Sequence, residues 1–112
     1  MAMTEIDFSR SICPDVRRFT LDASTTKATQ VNIPDWCRKI TVRPEGRGCR
    51  IAFVSDSDNI HSDFIKLSAD TPSEFTFTDG HKRTNKVDKV YIANLVSYGT
   101  TMNISVMLEG EQ

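Results

Sequence analysis

Residues 90–108 read VYIANLVSYGTTMNISVML. Val90 and Ile92 share one phase of a two-residue alternation, and Met102, Ile104, Val106 and Leu108 do the same further on. Asn103 and Ser105 fall out of phase with the apolar positions of the second run. A period of two marks a β-strand, because successive side chains leave a strand on opposite faces; a helix would repeat every three to four residues. The intervening VSYGTT supplies turn residues, so two strands are expected here. The last holds its apolar phase over four positions, which predicts a central strand rather than an edge.

Working outward, the same period recurs. Phe19 and Leu21 align in RRFTL, Val31 and Ile33 in TQVNI, and Ile40 and Val42 in KITVR. CRIAFV is apolar on both phases, with Cys49, Ile51 and Phe53 on one and Ala52 and Val54 on the other. Ile65 and Leu67 align in DFIKL, and Phe75 and Phe77 in EFTFT. Valine, isoleucine and threonine abound, and their branched side chains suit a pleated surface. Turn residues separate the segments, including Pro34-Asp35, Pro44-Glu45-Gly46, Asp70-Thr71-Pro72 and Asp79-Gly80. Short strands at this spacing predict an all-β fold: a single-domain antiparallel β-sandwich over residues 16–110, jelly-roll-like with about eight strands. Residues 1–15 alternate imperfectly and contain Pro14. They read either as an extra edge strand or as an arm lying on a neighbouring molecule.

The chain has 112 residues, 38% of them hydrophobic and 26% charged, which suits one globular domain. Fourteen basic and 15 acidic residues leave a formal charge of −1, without the basic excess that drives phosphate binding. No nucleic-acid partner is expected. Cys13, Cys37 and Cys49 are odd in number and form no CxxC pair, which fits free thiols in a reducing compartment. One disulfide with a leftover thiol stays open. The N-terminal residues lack a basic segment followed by an apolar run, and no stretch has the length to span a bilayer. Neither a signal peptide nor a membrane partner is expected.

Few residues suggest chemistry. Asp56, Asp58, Asn59 and Asp63 in SDSDNIHSD offer oxygen ligands, but His61 and Leu67 stand where an EF-hand needs glycine and glutamate. A solvated loop is the simpler expectation. His81, Lys82, Arg83, Lys86 and Lys89 form a basic loop without aromatic residues to stack on bases. The two histidines lie apart, and no nucleophile motif or glycine-rich phosphate loop occurs. Neither a metal, a cofactor nor a catalytic constellation is expected. Trp36 reads as a cap on the core or as a platform for a sugar ring.

Three stretches, IPDWCRKITVRPEG, FIKLSADTPSEFTF and VYIANLVSYGTTMNISVMLEG, together resemble small β-sandwich virion proteins of tailed bacteriophages. The likeness spans roughly residues 28–110: a tryptophan-bearing turn into a strand, a polar turn at Ala69 to Thr71, and a closing Leu108 to Gly110. It implies a non-enzymatic particle component, most simply a head decoration or cement protein, commonly trimeric, located in the virion after assembly in the host cytoplasm. Its partner would be the major capsid protein or another virion protein. The resemblance brings no functional residues with it. On physical grounds the expected contacts are Ile6 and Phe8 in the arm, with Arg17, Arg18, Lys82 and Arg83 meeting an acidic capsid surface. A tail, fibre or adaptor component and a carbohydrate-binding module built on Trp36 are the alternatives.

Overall fold

Each alternating stretch becomes a strand that buries one phase of its side chains. The computed structural model describes residues 4–8, 14–21, 27–34, 36–56, 59–60, 63–76, 89–95 and 100–110, and no helix occurs among them. In chain order the strands are β1 (Thr4–Ile6), β2 (Asp15–Leu21), β3 (Thr29–Asn32), β4 (Cys37–Pro44), β5 (Cys49–Ala52), β6 (Ser55–Asp56), β7 (Asn59–Ile60), β8 (Ile65–Leu67), β9 (Ser73–Thr76), β10 (Lys89–Asn94) and β11 (Met102–Gly110). The eight strands expected from periodicity are β2, β3, β4, β5, β8, β9, β10 and β11. Strand β1 and the β6–β7 ribbon are additional.

Two sheets stack into a β-sandwich. One runs β1-β3-β10-β5-β8 and the other β2-β11-β4-β9. All their pairings are antiparallel except that of β1 with β3, which is parallel. Consecutive strands mostly change sheet: β10 and β11, neighbours in sequence, lie in opposite layers. Counting only the eight expected strands, one sheet runs second, seventh, fourth, fifth and the other first, eighth, third, sixth.

The inward phases fill the space between the layers. Ile40, Val42, Ile104, Val106 and Leu108 from one sheet meet Val31, Ile51, Val90 and Ile92 from the other. All nine are inaccessible to solvent. Removing each such side chain from water stabilises the fold by about 1.5–3 kcal/mol. Strand β11 sits between β2 and β4, the central place its pattern predicts. Ile65 departs from expectation. It shares the phase of buried Leu67 yet remains 48% exposed. It opens β8, which among the described strands is outermost, with a neighbour on one side only.

Phe53, just after β5, and Phe75 in β9 meet edge to face with ring centroids 5.7 Å apart, joining the layers near this margin. The link from β8 to β9 then crosses between sheets. Asp70 turns it with a positive φ of 55°, a conformation aspartate tolerates better than most residues. Its amide donates to the Pro44 carbonyl at 2.7 Å, and its carboxylate accepts from the Gly46 amide at 3.1 Å.

The first sheet is also covered on its outer side. Ala28, Ala52, Tyr91 and Ala93 form a second buried cluster with Phe64 packed against it. β7 of the β6–β7 ribbon contacts β10. The stretch expected as a solvated loop thus contains a hairpin, with Ser55 opposite Ile60 and Asp56 opposite Asn59.

At its end β11 is irregular, with a register shift between Glu109 and Gly110. Gly110 lies against the Trp36 carbonyl and the Arg38 amide, where a Cβ would collide with backbone. Such close approach of two chains is a reason for glycine within a strand.

Candidate interaction surface

The margin formed by β1, β3 and β2 gathers three of the six residues expected to make contacts. Ile6 and Phe8 share one phase of extended chain, and that phase faces inward. Ile6 is half-buried against the core, and Phe8, at 7% exposure, is part of it. Phe8 therefore closes the sandwich of its own chain.

Between them Asp7 is gripped twice. Its carbonyl accepts a hydrogen bond from Arg17 Nη1 at 2.6 Å, and its carboxylate accepts one from Asn32 Nδ2 at 2.6 Å. Glu5 sits opposite Gln30 in the parallel register. Its carboxylate lies 3.2 Å from Asn32 Nδ2 and 3.4 Å from Gln30 Nε2, and Gln30 donates to Asn32 Oδ1 at 2.8 Å. Arg17 pairs with Val106, so it occupies the inward phase of an edge strand. There it reaches the arm. A groove of about 460 Å³ beside this contact is lined by Asp7, Phe8, Asn32, Ile33 and Pro34.

Arg18, one residue on, points the other way. It forms a two-point ion pair with Glu45, which also accepts from the Ser105 hydroxyl at 3.1 Å. The pairing raises the Arg18 pKa, chiefly through the hydrogen bond to Glu45, and lowers that of Glu45, chiefly through the hydrogen bond from Arg18. The same outer face carries Lys39, 3.3 Å from Glu109 and 3.6 Å from Glu74, and Arg43, 3.8 Å from Asp70. Glu109 is the main cause of the raised Lys39 pKa. Thr20 donates to Asn103 at 3.0 Å. This face is thus a lattice of opposite charges matched within the chain, with Val16, half-exposed, opposite Met107 as its apolar spot.

Lys82 and Arg83, with the rest of the basic loop through residue 88 and both histidines, lie outside the described residues. So do Cys13 and Asp58. Among the described residues, no three His, Cys, Asp or Glu side chains converge as a metal site. Cys37 and Cys49 are both buried. Burial pushes the Cys49 thiol up to about 12, the opposite of what a nucleophile needs. The Cys37 thiol donates to the Lys39 carbonyl at 3.3 Å. Arg50 stacks over Phe64 at 5.2 Å and donates to the Asn94 carbonyl at 2.8 Å. Burial lowers its pKa. Beside it a groove of about 420 Å³ is lined by Ile51, Ala52, Phe53, Asp63, Phe64 and Ile65. Trp36 is half-buried and packs against the core.

No protein-family model, curated protein or solved structure matches the chain. The polar partners of the arm, Gln30 and Asn32, were visible in the sequence only as the outward phase of TQVNI. Their role depends on which strand lies beside β3, and periodicity carries no information about neighbours. Glu45 read as part of a turn for the same reason.

Proposed function

We propose that the chain is a non-enzymatic structural protein of a bacteriophage particle, a decoration or cement protein that binds the capsid and stabilises the head as a trimer. The carrying observation is the filled interior. The inward side chains of both sheets occupy the space between the layers, which leaves the outside of the molecule for association. The order of the eight main strands supports a jelly-roll reading, since each sheet interleaves early and late strands as two Greek keys do. That architecture serves viral capsid and lectin domains alike. The packing of Trp36 against the core favours the virion reading over a sugar platform.

Reinforcement would follow from shared burial. A protein seated across neighbouring capsomers must be detached before they separate, and three linked copies multiply modest contacts by avidity. A stable contact of this kind buries about 1,200–2,000 Å² in total. The reading is tested by adding the purified protein to capsid shells that lack it. Saturable, regularly spaced binding with a raised disruption temperature is expected. Binding only at the tail would transfer the role to a tail or adaptor component, and no binding to either would overturn a virion role.

A further inference from the structure

We infer that the cradle holding residues 4–8 is a docking site for the same segment of a second copy, so that copies of this chain associate by exchanging their N-terminal strands. Three observations carry this. First, the cradle recognises the arm by specific means: three register pairs with β3, Arg17 on the Asp7 carbonyl, Asn32 on the Asp7 carboxylate, and Phe8 inserted in the core. Second, the arm is outside the interleaved order of the eight main strands. It is the one parallel partner among the described strands and lies at the outermost position of its sheet. Third, its covalent connection to β2 is the short segment 9–14. An arm from another copy offers the cradle an identical set of contacts, so exchange changes the connectivity and leaves the bonding intact.

The position also cannot stay vacant without cost. Withdrawal of the arm would bare the edge of β3, leave Arg17 without the Asp7 carbonyl and open the core where Phe8 sits. Some arm must fill it. Which arm does so is a matter of mass action. A short tether holds the chain's own arm at an effective concentration on the order of millimolar. Foreign arms compete when copies are concentrated to that range or arrayed on a surface. Passing each arm to the next copy generates a closed ring when the rotation between copies closes, a trimer being one such ring. Exchange requires copies of this chain alone, so its outcome is independent of capsid binding.

The test uses two full-length single variants, Glu5→Cys and Gln30→Cys, each with Cys13→Ser. The two positions are opposed in register and lie away from the inward phase. The variants are mixed at about millimolar concentration, where tethered and free arms compete, then oxidised with diamide and digested for mass spectrometry. The expected product is a disulfide joining position 5 of one chain to position 30 of another, its yield falling on dilution. Collision between exposed thiols links 5 to 5 and 30 to 30 as readily, so a 5–30 link in excess over those two marks the arm of one chain lying on β3 of another. The double variant Glu5→Cys/Gln30→Cys serves as the reference. If it closes its own disulfide while the mixture yields no 5–30 link in excess over the 5–5 and 30–30 links, the arm stays with its own chain and the inference is overturned. Failure of both would mean that the arm does not occupy the β3 edge, which overturns it equally.

Discussion

Arg18 and Glu45 face each other across the second sheet with Nε 2.8 Å from Oε2 and Nη2 2.9 Å from Oε1. They come from β2 and from the turn after β4, 27 residues apart. The pair thus ties the first main strand to the turn beside β11, where the Glu45 amide also donates to the Asn103 carbonyl at 3.0 Å.

This pair sets an acid dependence. The hydrogen bond from Arg18 holds the Glu45 carboxyl below its usual 4.5, so the carboxylate stabilises the folded chain above that pH. The contribution fades as pH falls through the depressed folded value. Glu45→Gln should lower the melting temperature near neutrality and converge on the parent protein in acid. Melting curves at about pH 6 and about pH 3 read this difference. Both side chains are solvated, so added salt should shrink it. Parallel curves at both pH values would remove the pair from the account.

Phe8→Ala should destabilise the domain by about 3 kcal/mol, since a buried ring would leave a void beside the existing groove. Urea unfolding measures it. Unchanged stability would place the ring outside the core.

Gly110→Ala should cost about 1–3 kcal/mol, because the new methyl meets the Trp36 carbonyl and the Arg38 amide rather than a flexible side chain. Gly48→Ala should behave alike, its Cβ running into the Leu67 carbonyl. Tryptophan fluorescence would report the first through displacement of Trp36 and leave the second silent.

Ile104→Ala and Ile65→Ala remove the same atoms from opposite situations. Ile104 is fully enclosed, so its loss should cost about 2–5 kcal/mol. Ile65 is half-exposed, and its loss should stay within about 0.5 kcal/mol. Equal effects in chemical denaturation would contradict the edge placement of β8.

Cys37 and Cys49 should resist a thiol reagent in the native protein at about pH 8 and react once it unfolds. Burial shields both thiols from the reagent, and that of Cys49, pushed up to about 12, carries almost no thiolate there. Of the three cysteines, rapid native labelling of either of these two would show that the sandwich opens readily.

Periodicity sufficed for the layers because burial in a sandwich repeats with the strand itself. Every second residue of MNISVML points inward, whatever lies beside it, so the buried phases of β2, β3, β4, β10 and β11 were legible. Pairing partners were not. That β1 runs parallel to β3 depends on a contact between segments some 25 residues apart, for which Glu5 and Gln30 carry no local mark. Ile65 shows the limit from the other side: its phase is correct, but exposure is decided by sheet position. The burial of Ala52 and Ala93 was hidden likewise, because alanine on the outward phase does not announce that Phe64 packs against it. Among the expected contacts, Ile6, Phe8 and Arg17 do converge, yet on their own chain's arm, and Arg18 is matched by Glu45.

The central place of β11 has a consequence for biosynthesis. Its two neighbours, β2 and β4, are translated long before it, and neither is adjacent to the other. A nascent chain that has reached residue 100 must therefore hold both with bare edges and half a hydrophobic layer uncovered. Productive folding waits for one late segment to slide between them. That delay makes the incomplete chain a natural client for chaperones and, where copies are made side by side on one message, prone to borrowing a strand from the wrong neighbour.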